Sequence, residues 1–314
     1  MQNHQIQFRN DLPPPESVND EVLVAVTQAG ICETDLQLAR GYMGFAGILG
    51  HEFVGVAQSG RLAGQRVVGE INCNCRRCPS CEAGLENHCP QRTVIGIDRH
   101  DGAFADYVAV PEHHLHAIPD SVADDEAVFV EPLAAALQIC EQVTIGSSDR
   151  VAILGDGRLG LLCAQAVGLA TSALTVVGKH PDKLARFAAL GYKTREHADD
   201  VDDDGLYDLV VDCTGSAAGL PLALRLVRPR GTVVLTTTIA GNHETSLAAI
   251  VINEITVIGS RCGPFAKAVE AIRDHRIDLS NLITHRFPLH AATEAFAKAS
   301  EPDAFKVVFE ISNH

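Results

Sequence analysis

Val151-Ala152-Ile153-Leu154-Gly155-Asp156-Gly157-Arg158-Leu159-Gly160 is the stretch that decides the fold. Four apolar residues read as a buried strand, and they run directly into a G-x-G-x-x-G turn. Arg158–Leu169 then reads as a helix. In such a turn Gly155 permits the tight reversal and Gly157 lets a pyrophosphate approach the backbone. Gly160 lets the helix lie on the strand, and Leu159 completes the cofactor-facing loop. The helix N-terminus offers N–H groups and the positive end of its dipole to the phosphates. Without this context the pattern is only a glycine-rich turn. The strand before it and the helix after it are what a dinucleotide site needs.

Working outward, the same alternation continues. Leu174–Val177 is followed by Pro181–Leu190, Leu209–Val211 by Gly219–Val227, and Val233–Thr236 by Leu247–Ile252; Ile255–Ile258 closes the series. Helix Leu133–Val143 opens it. Apolar strands alternating with helices predict an α/β domain over 132–261, built on a doubly wound parallel sheet of Rossmann type. An NAD site usually has an acid at the end of the second strand, to hold the ribose 2′-hydroxyl. Here the strand ends in Gly178-Lys179-His180. Glycine leaves room, and Lys179 and His180 bring positive charge, which predicts a 2′-phosphate and so NADP over NAD. The plainer alternative is a solvated lysine in a protein indifferent to the two.

Residues 1–131 read as mostly β. Val22–Val26, Val67–Gly69 and Phe104–Val110 are short strands between glycine-rich turns. Pro13–Pro15 forces an extended entry segment, and His4–Phe8 reads as the remnant of a first strand. Beyond Gly263 lie two helical stretches and a last strand, Lys306–Ile311. That tail is too small for a domain, so 262–314 is expected to rejoin 1–131. The acidic run Asp199, Asp200, Asp202, Asp203, Asp204 reads as a solvated loop.

The chain has 314 residues, 46% of them apolar and 21% charged, which is ample for two folded domains. Its net charge of −15 argues against nucleic acid or an anionic membrane as partner. No apolar run is long enough to span a bilayer and no secretory signal opens the chain, which predicts a cytoplasmic, reducing location. Ten cysteines then point to metal rather than disulfides. Cys75, Cys78, Cys81 and Cys89 form C-x2-C-x2-C-x7-C, the ligand set of a closed structural zinc. Cys73, two residues before the first, reads as a spare thiol or as a ligand exchanged into the lobe. An iron–sulfur cluster is a rival, but ferredoxins place the fourth cysteine after three residues. A nucleic-acid-binding finger lacks its basic helix here. Cys140, Cys163 and Cys213 fall in apolar stretches and read as core; Cys262 sits at the domain junction.

Three further residues stand in distinctive contexts: Cys32 in Gly30-Ile31-Cys32-Glu33-Thr34-Asp35, His51 in Gly50-His51-Glu52-Phe53-Val54-Gly55, and Glu131 in Val130-Glu131-Pro132-Leu133-Ala134. Singly, they are also a buried thiol, a core histidine and a helix-start carboxylate. Spacing cannot unite them.

Together with Gly102-Ala103-Phe104-Ala105-Asp106-Tyr107, Pro111, the four-cysteine lobe and the nucleotide loop, these segments resemble the zinc-dependent medium-chain alcohol dehydrogenases over nearly the whole chain. The resemblance is closest to the polyol and threonine dehydrogenase branch. It implies a GroES-like β domain carrying two zincs per chain, a Rossmann domain, and reversible hydride transfer between an alcohol and NAD(P). A polyol or small secondary alcohol is the implied substrate class. Cys32, His51 and Glu131 are the implied catalytic zinc ligands, Glu52 binding directly or through water, with Asp35 orienting the histidine. Thr34 is implied to pass on the alcohol proton, while the usual terminal histidine falls at Gln37. Tyr42, Met43 and Phe45 fall where the family lines its substrate pocket, or are plain packing. Thr214 borders the cofactor, and Lys306 matches a basic position that can approach cofactor phosphate, or is a surface lysine. A homodimer or homotetramer follows by analogy, joined near Ile255–Ile258. The alternatives are a metal-free quinone or enone reductase of the same fold and a non-enzymatic cofactor-binding sensor.

Overall fold

The computed structural model describes residues 1, 5–18, 20–196, 205–236 and 245–311. The acidic run from Asp199 to Asp204 and His4 lie outside the described residues. Two units divide the chain: Met1–Glu131 with Phe265–His314, and Pro132–Pro264. Among the described residues no helix is long and apolar enough to cross a membrane.

The second unit is one parallel sheet. Its strands lie in the order Lys193–Glu196, Leu174–Gly178, Val151–Leu154, Tyr207–Asp212, Val227–Leu235, Thr256–Gly259. Every pairing in it is parallel. By chain order that is 3-2-1-4-5-6, the doubly wound arrangement whose ligand crevice opens where the order reverses, at the C-terminal end of Val151–Leu154. That first strand is buried from end to end, as a strand between two helical layers must be. Strand Lys193–Glu196 escapes the sequence reading because it is an edge: Lys-Thr-Arg-Glu is largely exposed and carries no apolar signal. Strand Val227–Leu235 begins six residues before the expected Val233, because the exposed Arg228-Pro229-Arg230 interrupts its apolar pattern.

The first unit is built around the long strand Glu21–Gly30, which pairs antiparallel with Glu52–Ala57, Tyr107–Pro111 and Lys306–Glu310. Ile283–Pro288, unread in the sequence because it is polar and half exposed, adds parallel to Lys306–Glu310. Strand Tyr107–Pro111 starts three residues later than expected. The preceding Gly102–Phe104 segment is held instead as a turn, with Ala103 N–H donating to Gly50 O (2.9 Å) and Phe104 N–H to Leu49 O (2.9 Å). This turn fixes the backbone just before His51.

Strand Arg66–Gly69 pairs with Leu115–Ala117 and thereby sets Glu70 between two histidines. Its Oε1 lies 2.8 Å from His116 Nε2 and its Oε2 3.5 Å from His114 Nδ1. Burial pushes this carboxyl up, but the two imidazoles outweigh burial and hold it at about 2. A folded value below the ordinary 4.5 means that the stabilisation is present above that value and is lost as pH falls toward 2. The side chain is 31% exposed, so solvent discounts the gain to about 2 kcal/mol. Glu70→Gln should therefore lower urea stability by about that amount at neutral pH, with the gap to wild type closing below pH ~4. A gap constant with pH would leave the carboxylate charge no part in it.

Candidate active site

In the four-cysteine lobe, Cys78 is the N-cap of the short helix Pro79–Glu82, whose first position is held by proline. Cys81 lies within that helix, and the turn Glu86–His88 delivers Cys89. All four thiols are free, and their sulfurs lie within 4.8 Å of one another. The separations are 3.5 Å for Cys78–Cys81, 3.8 Å for Cys78–Cys89 and 3.5 Å for Cys75–Cys89. A tetrahedron with Zn–S bonds of about 2.3 Å has edges of about 3.8 Å. The lobe therefore fits one zinc ion. Cys73 stands outside the group; burial, aided by Glu21, pushes its thiol up to about 12, so it is a protonated spare.

The second cluster lies in the same unit. Cys32 is the N-cap of helix Glu33–Ala39. Its N–H donates to Asp35 Oδ2 (2.8 Å), while the other carboxylate oxygen accepts the Gly50 N–H (3.2 Å). Asp35 is completely buried. One carboxylate thus ties the segment bearing Cys32 to the segment bearing His51. It also faces His51, with Nδ1 3.4 Å from Asp35 Oδ1. That contact is too loose for a well-formed hydrogen bond, and Nδ1 is left buried without one. Gly50 has φ +99°, and a Cβ there would meet the Phe104 ring at 2.5 Å; glycine is what allows the chain to turn into His51.

Donor atoms of Cys32, His51 and Glu52 all lie within 4.8 Å of one another. Thiol, imidazole and carboxylate form a zinc-binding set, and only three of them leave a position for a further ligand. Burial opposes ionisation of Cys32, but His51 outweighs it and lowers the thiol. Burial likewise opposes a charge on His51, and Asp35 and Cys32 outweigh it upward. Glu131, second residue of helix Val130–Gln142, is outside this group of donors. Burial raises its carboxyl, with His51 opposing and Asp35 reinforcing, so it is an electrostatic neighbour of the cluster. Of the four expected groups, Cys32, His51 and Glu52 converge, and Glu131 stands beside them as an electrostatic neighbour. Thr34 Oγ1 stands 3.9 Å from Cys32 Sγ. Gln37 donates to Glu33 Oε1 (2.8 Å), so its amide is already engaged.

Lys306 is not a surface lysine. It is 2% exposed, and its ammonium pairs with Glu52. Burial lowers it to about 8, against the pull of Cys32 and Asp35. The cause is strand pairing. Gly30 sits opposite both Glu52 and Val308, and a Cβ on Gly30 would meet Lys306 Cε at 2.7 Å and Glu52 Oε2 at 2.8 Å.

In the second unit the nucleotide loop leaves strand Val151–Leu154 with Gly155 at φ +117°. Its N–H donates to Val177 O (2.9 Å). A Cβ on Gly160 would overlap the Gly155 carbonyl oxygen, whereas one on Gly157 would meet nothing within 4 Å. Gly157 is the N-cap of helix Arg158–Gly168, and Leu159 lies in that helix's first turn. Thr214 donates through N–H and Oγ1 to Asp212 Oδ1 (2.9 and 2.7 Å), which fixes the loop after the fourth strand of the unit. Gly178, Lys179 and His180 end the second strand, and the backbone N–H groups of the latter two are bound by Asp156. Sequence reasoning missed Asp156. The signal was present in the acid inside the glycine motif and the glycine at 178 that makes room for it.

The alcohol dehydrogenase GroES-like domain family matches residues 18–120, and the glucose dehydrogenase C-terminus family matches 124–311. A sorbitol dehydrogenase from Halalkalibacterium halodurans is 26% identical over 94% of this chain and 93% of its own. A structure from Sinorhizobium meliloti 1021, described as a zinc-binding dehydrogenase bound to NADP, is 30% identical with TM-score 0.87, covering 98% of this chain and 96% of that one. The alcohol dehydrogenase of Thermus sp. ATN1 is 26% identical with TM-score 0.89, covering 98% and 97%.

Proposed function

The chain belongs to the zinc-dependent medium-chain alcohol dehydrogenase family, and on that premise we propose that it interconverts a polyol or small secondary alcohol with its carbonyl at the Cys32–His51–Glu52 cluster, using NADP. It is an oxidoreductase that uses zinc and a nicotinamide cofactor. The observation that carries the reading of the site is the convergence of those three donors around one buried carboxylate, Asp35.

Zinc supplies Lewis-acid activation of an alcohol oxygen, and nicotinamide accepts the hydride. The chain does the rest. Cys32, His51 and Glu52 hold the ion, Asp35 sets the imidazole's direction, and Lys306 balances Glu52 within the buried site. Glu131 adds a further negative neighbour. Thr34 Oγ1 would accept the alcohol proton while its own hydroxyl proton passes outward. No histidine follows it at position 37, so a threonine–histidine relay is shortened or rerouted here. Cys75, Cys78, Cys81 and Cys89 hold a second, structural zinc.

Gly155, Gly157, Leu159, Gly160, Gly178, Lys179, His180 and Thr214 form the cofactor site. The missing acid after Val177 favours NADP. Edge strand Thr256–Gly259, beside the exposed Leu247, Val251 and Ile252, supports an assembly of two or four copies. Ten cysteines with no disulfide among the described residues suit a reducing compartment such as the cytoplasm.

A panel of polyols and secondary alcohols, read at the absorbance of reduced nicotinamide on protein of known metal content and sedimentation mass, tests the reading. The expected result is about two zincs per chain, turnover of at least one vicinal diol or polyol, a kcat/KM for NADP about tenfold or more above that for NAD, and a mass above the monomer. One zinc with enone reduction would favour the metal-free reductase. A clear preference for NAD would overturn the cofactor choice alone.

A further inference from the structure

The place after Val177 where an NAD site keeps its acid is not empty. Strands Val151–Leu154 and Leu174–Gly178 are parallel neighbours in register, so the turns that leave them lie side by side. Asp156, in the first turn, reaches across to the second. Its Oδ2 accepts the N–H groups of Lys179 and His180, each at 2.7 Å. His180 Nδ1 lies 3.0 Å from the same oxygen and 3.1 Å from Oδ1. A Cβ on Gly178 would stand 2.6 Å from both Asp156 Cβ and Oδ2, so the acid in one turn and the glycine in the other are steric partners. Asp156 is 7% exposed, while the His180 side chain is 54% exposed.

Three donors on one buried carboxylate use most of its acceptor capacity. A ribose hydroxyl would find Asp156 already engaged. The N–H groups of Lys179 and His180 are consumed too, so the turn can offer a ligand only side chains. Those are a lysine ammonium and an imidazole whose Nδ1 faces Asp156, its Nε2 donating to a phosphate when the ring carries both protons. A phosphate gains from such groups, and a hydroxyl gains little.

We propose that Asp156 is a positioning residue that holds the Gly178-Lys179-His180 turn in the shape that reads the 2′ substituent of the cofactor's adenosine ribose, and so sets the choice between NADP and NAD. The inference rests on the nicotinamide-dependent reading above. Calorimetric titration of the whole protein with ADP-ribose and with 2′-phospho-ADP-ribose tests it without turnover. In Asp156→Ala the ratio of the two dissociation constants should fall by about tenfold, with ADP-ribose affinity changed less than about threefold. His180→Ala should lower the ratio as well, and the double variant should fall short of the product of the two effects. Asp156→Asn keeps an oxygen for the two N–H groups and should recover most of the ratio. An unchanged ratio in Asp156→Ala at wild-type Tm overturns the proposal. Should that variant fail to fold, the half-exposed His180→Ala carries the test, and an unchanged ratio there overturns it equally. A wild type that binds ADP-ribose more tightly overturns the NADP preference alone; the positioning role still stands or falls on whether the ratio moves.

Discussion

Cys32→Ser and His51→Ala are each expected to lower kcat/KM by about a thousandfold or more and to remove one zinc per chain, while the four-cysteine lobe retains its own. A thousandfold is about 4 kcal/mol of transition-state stabilisation, the scale on which a lost Lewis acid is felt. The two proposed zinc sites share no ligand, because the sulfurs of Cys75, Cys78, Cys81 and Cys89 form a separate group from the donors of Cys32, His51 and Glu52. Metal content per chain and thermal stability, measured on the same preparations, separate loss of the ion from loss of the fold. Asp35→Asn should fall between wild type and these variants. It keeps one oxygen for the N–H of Cys32 or Gly50 but loses the charge facing His51, and such losses behind a ligand typically cost about 10- to 100-fold. Full activity in Cys32→Ser with its zinc count unchanged would remove this cluster from the mechanism.

The doubly wound sheet is legible in the sequence because its central strands are apolar and its helices keep their own period. The edge Lys193–Glu196 is silent for the opposite reason: an exposed strand has no apolar face to announce it. The four-cysteine ligand set is legible because all its donors lie within one short loop, so spacing alone carries the geometry. The other cluster is not. Cys32 and His51 meet because strand pairing sets Gly30 opposite Glu52 and because Asp35 accepts an N–H from each of their segments, contacts that join stretches far apart in the chain. Resemblance to known proteins united them and named both Glu52 and Glu131 as carboxylates of the site; of the two, Glu52 has an oxygen within 4.8 Å of the Cys32 and His51 donor atoms. For Lys306 the resemblance offers a basic position near cofactor phosphate, and the plain alternative is a surface lysine, since lysine is seldom buried. It is buried here because pairing of its strand with Glu21–Gly30 places it over a glycine and beside Glu52.

Gly160→Ala and Gly157→Ala should part company although both lie in one motif. At Gly160 the added methyl would overlap the backbone carbonyl of Gly155. Neither partner is a side chain that can rotate away, so helix Arg158–Gly168 must lift off the loop. That helix packs Leu161, Leu162, Cys163, Ala164, Ala166 and Val167 into the core, and its displacement should cost about 1–3 kcal/mol, as overpacking does. The N–H groups at its N-terminus would shift with it, so ADP-ribose affinity should fall by more than about tenfold. At Gly157 a Cβ meets no protein atom within 4 Å, and φ is −88°. The fold therefore has no objection to alanine there. What would object is a pyrophosphate that must approach the backbone. Gly157→Ala should keep the wild-type Tm within a degree or two and still lose dinucleotide affinity. Scanning calorimetry with titration of ADP-ribose reads both quantities. If Gly157→Ala binds ADP-ribose as wild type does, the loop admits no close phosphate and the cofactor must lie elsewhere. If Gly160→Ala keeps its Tm, the helix does not rest on Gly155, and the close strand-to-helix packing that brings the N–H groups to the loop is not what sets this site.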